Sequence, residues 1–200
     1  MSSATSPAPE SRKVQVSDSP ALDYDEQKFK ELILYIAEKS ADDPSFGDTK
    51  LNKLLFFSDM LHHAIHGTPI SGAVYQKLEF GPAPRRLLPV RREMASDKDI
   101  AVVRKGRAYA RTVTVNRRSA DLRLFSTAEI DTIDDVIDLL RNHDATEVSE
   151  MSHRLSAGWQ HGMMHEDIPY DSIFLSVTDQ LTPHEIQRGQ ALAAELQLTA

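Results

Sequence analysis

Thr49 to Pro84 reads TKLNKLLFFSDMLHHAIHGTPISGAVYQKLEFGPAP, and this stretch decides the fold. Leu51, Leu54, Leu55, Ser58, Leu61 and Ile65 fall within about a third of a wheel at 3.6 residues per turn, so it opens as an amphipathic helix. Asp48 or Thr49 is the expected N-cap. Gly67 stops the helix, and Pro69 keeps it from resuming. Val74 to Phe80 carries enough β-branched and aromatic residues for one short extended segment. Gly81-Pro82-Ala83-Pro84 then reads as a rigid corner that redirects the chain.

Upstream, residues 1–22 hold six Ser, three Pro and no aromatic residue. Such a composition buries too little apolar surface to offset ordering entropy, so a disordered tail is expected there, with one globular domain over 23–200. From Asp23 to Lys39 the pattern is helical, with Phe29, Leu32, Ile33 and Ile36 on one face. Leu34 and Tyr35 widen its apolar arc, which suggests packing on more than one side.

Downstream, Arg85 to Met94 reads as a helix interrupted at Pro89. Ile100 to Val115 reads as a β-hairpin turning at Gly106. Ser126 and Glu129 form a capping box, followed by the helical run Ile130, Ile133, Val136, Ile137 and Leu140. A helix over Thr146 to Leu155, an irregular stretch from Trp159 to Tyr170, and a last helix from Thr182 to about Leu196 complete the pattern. The expected class is mainly α, an α+β chain with a small antiparallel hairpin.

Lys50-Leu51, Lys53-Leu54-Leu55-Phe56-Phe57, Asp59, the His66 to Ile70 run and Phe80-Gly81-Pro82-x-Pro84 resemble the Panacea domain of SocA-like antitoxins. Ser152-His153, Trp159 and Ile168-Pro169-Tyr170 continue the likeness, which spans roughly Phe29 to Ile173. The resemblance implies a compact, mostly helical domain that neutralises a toxin by binding it, with the toxin encoded by a neighbouring gene and a protease as a further possible partner. It also implies a shared framework of Lys50, Lys53, Leu54, Asp59, Gly81, Pro82, His153, Trp159, Pro169 and Tyr170. No reaction and no cofactor are implied.

With 40% hydrophobic residues and a net charge of −7, the chain suits a globular protein. It has no cysteine, which excludes disulfides and thiolate metal sites. No apolar run approaches the ~20 residues a membrane span needs, and the first residues lack the apolar core of a secretory signal, so a cytoplasmic location is expected. The charge is unevenly spread: residues 85–123 hold twelve Lys or Arg against four Asp or Glu, a balance of +8, leaving −15 elsewhere.

Two uses of that basic stretch stay open beside mere solvation. Arg85, Arg86, Arg104, Arg107, Arg111, Arg117 and Arg118 could meet an acidic partner surface, since the planar guanidinium binds carboxylates bidentately. The alternative is a nucleic-acid-binding regulator that uses 85–123 on phosphates, disfavoured for the isolated protein by its acidic whole and its few stacking aromatics. Asp59, His62, His63 and His66 share a ~120° polar arc whose spacing could hold a metal, which would make a metal-dependent enzyme. A solvated face is the plainer expectation, and no metal is assigned. His153 is expected to hydrogen-bond a loop, and Trp159 to be core. Gly-x-Ser-x-Gly, Gly-x-Gly-x-x-Gly and phosphate-binding Gly-Lys-Ser/Thr loops are all missing, so the expectation is binding and not catalysis.

Overall fold

Helix α2 (Asp48–His66) runs through the centre of the fold. In the computed structural model, which describes residues 23–106 and 110–175, it packs against three other helices, two strands and a short 3₁₀ helix. The expected tail over 1–22 and last helix from Thr182 lie outside the described residues. Gly67 ends α2 in the left-handed region at φ +76°, and its N–H caps His63 O. The N-cap is Gly47, not Asp48 or Thr49, because the Asp48 carboxylate turns instead to Arg91 at 2.9 Å. The apolar stripe holds for Leu51, Leu54 and Leu55, but it comes to the surface at Leu61 and Ile65, the latter 62% exposed.

Helix α1 (Glu26–Lys39) starts three residues later than the pattern predicts, because Asp25 caps it by accepting from Lys28 N. Phe29, Leu32, Ile33, Leu34 and Ile36 are all fully buried, as expected of a helix packed on several sides. Helix α4 (Thr127–Leu140) begins at the Ser126–Glu129 capping box and lays Ile133, Val136, Ile137 and Leu140 into the same core. Helix α5 (Ala145–Leu155) has its own box, Asp144 with Glu147.

The Gly-Pro stretch corrects the expectation of a corner. Gly81–Pro84 is itself a strand, β2, paired antiparallel with β1 (Tyr75–Leu78). Two prolines fit because antiparallel pairs alternate between hydrogen-bonded and non-hydrogen-bonded positions. Arg85 N donates to Val74 O, so Pro82 and Pro84, opposite Lys77 and Tyr75, occupy non-bonded positions where no N–H is needed. On the far side of β1 lies β5 (Asp167–Ile168), giving the order β2-β1-β5.

Helix α3 (Leu87–Ser96) is not interrupted at Pro89. With Arg86 as N-cap the proline falls in the first turn, where its missing N–H has no helical acceptor in any case. The predicted hairpin is present as β3 (Ile100–Lys105) and β4 (Arg111–Asn116), paired from Ile100↔Asn116 to Lys105↔Arg111. That register centres the connection beyond Gly106, which explains the unequal arms in the sequence. The stretch after α5 is more regular than expected: Trp159 sits in the short helix α6 (Ala157–His161), and a 3₁₀ helix follows at Tyr170–Phe174.

Gly67 and Gly81 both have positive φ, at +76° and +102°, but only Gly81 is also crowded. A Cβ there would meet Ser152 Oγ at 2.6 Å and Lys53 Nζ at 2.7 Å, whereas at Gly67 it would meet open space. Gly67→Ala should cost about 1–2 kcal/mol from backbone strain alone, and Gly81→Ala about 2–4 kcal/mol. Urea unfolding of the two variants checks this; equal losses would show that the packing of β2 on α2 and α5 yields freely.

Candidate functional site

The framework residues converge on a buried polar seam along α2. Lys50 is 1% exposed, yet its ammonium is fully matched. Nζ donates to Arg141 O at 3.1 Å and His143 O at 2.7 Å, and pairs with Asp43 Oδ2 at 2.5 Å. Three acceptors meet three donors, and the two carbonyls belong to the negative C-terminal end of α4 and the turn after it.

One turn on, Lys53 is 2% exposed and far less well matched. Among the described residues its only hydrogen-bond acceptor is Pro82 O, at 3.1 Å. That carbonyl belongs to a non-bonded pair at the edge of the sheet and has no strand partner, so Lys53 closes the edge. Desolvation without a compensating carboxylate drops the lysine to about 7.

Asp59, wholly buried, holds the segment that follows α2. It accepts from Ser71 N at 2.7 Å, Ser71 Oγ at 2.6 Å and Tyr75 Oη at 2.7 Å. Burial pushes its carboxyl up despite these donors. Tyr75 Oη also lies 2.8 Å from Leu55 O, and one phenol proton cannot serve both acceptors. The carboxylate and the Leu55 carbonyl therefore compete for the phenol proton.

The histidine arc is not the solvated face expected from the sequence. His62 and His63 are buried and point apart: His62 Nδ1 meets Thr68 O at 2.7 Å, and His63 Nε2 meets Asp171 at 3.0 Å. Only His66 is exposed, stacked loosely on His62 at 4.4 Å. Among the described residues no three His, Cys, Asp or Glu side chains are grouped to hold a metal ion.

At the other end of the seam, His153 stacks flat on Trp159, with centroids 3.7 Å and planes 7° apart. This corrects the expected hydrogen bond to a loop: His153 Nε2 is buried without a partner, and it is the backbone O of His153 that Gln160 reaches. Burial first, then the nearby Lys53 charge, lowers the imidazole. Trp159 donates from Nε1 to Leu78 O at 2.9 Å, and Lys77 Nζ stands 4.5 Å from its ring centre. Tyr170 Oη reaches Ala73 O, Pro169 leads into the 3₁₀ helix, and Leu54 is core. Lys50, Lys53, Leu54, Asp59, Gly81, Pro82 and Tyr170 are interior, His153 and Trp159 are partly buried, and Pro169 is exposed.

Four of the seven arginines singled out in the sequence are engaged within the chain. Arg85 bonds Asp167, Gln76 and the His165 carbonyl, and Arg86 pairs with Glu26. Arg111 Nε donates to Phe46 O. Arg118 holds buried Glu31 bidentately at 2.7 and 2.8 Å and reaches Asp99 as well. Arg104 and Arg117 are exposed, with no side-chain partner among the described residues, and Arg107 lies outside them. Sequence inspection missed the acidic partners Asp43, Glu31 and Asp48, because long-range pairing leaves no local spacing to detect.

Two measurements follow from this geometry. Arg118→Ala should cost about 2 kcal/mol by leaving Glu31 buried without its cation, while Arg104→Ala should stay within about 0.5 kcal/mol of wild type. Matching urea midpoints for the two would show that Glu31 finds another partner. For Lys53 the sign is set by proton count. Between about 7, its value in the fold, and 10.5, the ordinary lysine value, the unfolded chain binds the extra proton, so stability rises with pH. The wild-type minus Lys53→Met stability difference should therefore climb between pH 7 and 9, by up to about 1 kcal/mol per pH unit. A flat difference would show that the ammonium is solvated.

Comparison with known proteins adds one positive finding. No curated protein and no solved structure matches the chain. The family model described as "Antitoxin SocA-like, Panacea domain" matches residues 51–160. That span takes in Lys53, Leu54, Asp59, Gly81, Pro82, His153 and Trp159, and it stops short of Lys50, Pro169 and Tyr170. With more than half of its residues matched, the chain belongs to the SocA-like antitoxin family, as a Panacea-domain protein.

Proposed function

We propose that this protein neutralises a toxin, encoded by a neighbouring gene, by forming a direct complex with it, and that it acts by binding and not by catalysis. Its membership of an antitoxin family carries the proposal. The interior use of the motif residues supports it: Lys50, Lys53 and Asp59 spend their polar atoms on backbone and neighbouring side chains, which leaves the outer surface for a partner. Delivery of the bound toxin to a protease is a finer version of the same role. No helix among the described residues is long and apolar enough to cross a membrane, so the proposed encounter needs no membrane anchor from them.

The nucleic-acid alternative has less support. Arg85, Arg86 and Arg118 already neutralise carboxylates of the same chain, and counterion release requires free cations aligned on one face. Co-expression with the product of the adjacent gene should relieve growth arrest, and the purified pair should co-elute at fixed stoichiometry. The protein alone should leave random duplex DNA unbound at physiological salt. Salt-sensitive, sub-micromolar DNA binding without any rescue would reverse the choice.

A further inference from the structure

An apolar groove opens where α2, α4, α5 and the 3₁₀ helix at Tyr170–Phe174 meet, with a volume of about 330 Å³. Leu61, Leu139, Leu155, Met151, Phe57 and Ile173 are among its walls, and every side chain that lines it is apolar. Leu139 is 63% exposed and Leu155 55%, and among the described residues nothing covers them. Ile65, one turn beyond Leu61, extends the strip along α2. Exposed leucines gathered around one concavity, instead of scattered singly, mark a surface that loses free energy in water until something covers it.

The rim carries the opposite character. On α4, Asp131, Asp135 and Asp138 are exposed, Asp135 one turn before Leu139 and Asp138 paired with Arg141 at 3.3 Å. On α5, Glu147 lies one turn before Met151, and Glu150 is exposed next to it. Asp131, Asp135 and Glu150 have no cation partner among the described residues. Arg154 is the only basic residue on the exposed part of α5.

From this combination we infer that the groove is the docking site for a basic amphipathic helix of the partner protein, an inference that rests on the toxin-binding function proposed above. An apolar stripe at i, i+3, i+4 and i+7 would fill the groove while flanking Lys or Arg meet the carboxylate rim. The methionine wall adapts to the side chains presented. Charge selects this occupant over two others. Residues 176–200 contain three acidic residues and one basic residue, so they share the sign of the rim. A second copy of the chain would bring an identical acidic rim against this one.

The test uses the full chain and a labelled 18-residue peptide of Leu and Lys with leucines at i, i+3, i+4 and i+7, beside a counterpart with Glu in place of Lys. Fluorescence anisotropy should show micromolar binding of the Leu/Lys peptide only. Leu139→Gln with Leu155→Gln should weaken it at least tenfold, and Asp135→Lys with Glu150→Lys several-fold with a shallower salt dependence. These positions are exposed, so unchanged melting curves verify the fold. No binding to wild type, equal binding of the Leu/Glu peptide, or indifference to the leucine variant overturns the inference. So does a tenfold tightening on deletion of 176–200, which would make that segment the occupant, or a dimer that the leucine variant dissociates. In cells, the leucine variant should fail to rescue growth from the toxin of the adjacent gene. If wild type also fails to rescue, the toxin-binding function falls and the peptide result alone decides the groove. If wild type and variant rescue equally, the function stands and the groove is not its docking site.

Discussion

The ammonium of Lys50 is the constraint on which the rest of the structure depends. A cation with 1% exposure has no water to solvate it, so the fold must bring acceptors from elsewhere in the chain. They come from Asp43 before α2 and from the Arg141 and His143 carbonyls at the far end of α4. One side chain thus sets where three segments meet, and removing the Asp43 carboxylate would leave a buried charge without its counter-ion at a cost of about 3–5 kcal/mol. Leu54, Leu55 and Ile137 supply apolar area around it, but area is non-directional and would tolerate several arrangements of the same helices. The polar contacts restrict the choice.

Lys53 and Asp59 extend the same logic along α2 with different success. Asp59 gathers three donors and fixes the chain from Ser71 to Tyr75. Lys53 finds only one carbonyl, that of Pro82, and no carboxylate among the described residues. Gly81 belongs to this arrangement, since any side chain there would occupy the space of the Lys53 ammonium. An under-solvated amine and a crowded glycine side by side are a local concession that gives a short, twice-proline strand a defined seat against α2 and α5.

With its motif turned inward, the molecule has two chemically distinct kinds of surface. The arginines of 85–123 that lie among the described residues mostly engage acidic residues or backbone carbonyls of the same chain. The sequence-level charge asymmetry therefore overstates the free positive surface. On α4 and α5, Asp131, Asp135 and Glu150 have no cation partner among the described residues, and Asp135 stands one turn before exposed Leu139. In a protein of an antitoxin family, an apolar floor with a charged border would give the proposed partner both contact area and register.

Much of the fold was legible in the sequence because its signals are local. The Ser126–Glu129 box, Gly67 as a left-handed stop, the 3.6-residue periodicity of α1 and α4, and the β3–β4 hairpin depend on neighbours within a turn or a strand. The family motif also singled out the seam residues, without saying what each one touches. What failed depends on distant partners. Gly81–Pro84 looked like a corner because proline reads as a breaker, and only its pairing with β1 shows that the missing N–H groups face nothing. The arc of Asp59, His62 and His63 looked solvated because polar residues usually are, but α2 is enclosed on enough sides to bury them with specific acceptors and donors. Leu61, Leu139 and Leu155 looked like ordinary core positions or went unremarked, because periodicity identifies an apolar stripe but not whether the opposing surface exists. The sequence by itself determined the cores of the four longer helices α1, α2, α4 and α5, the Ser126 cap and the residues with something to bury. Only the tertiary structure decided which polar group satisfies which and where apolar surface is left uncovered, because both depend on contacts between segments far apart in the chain.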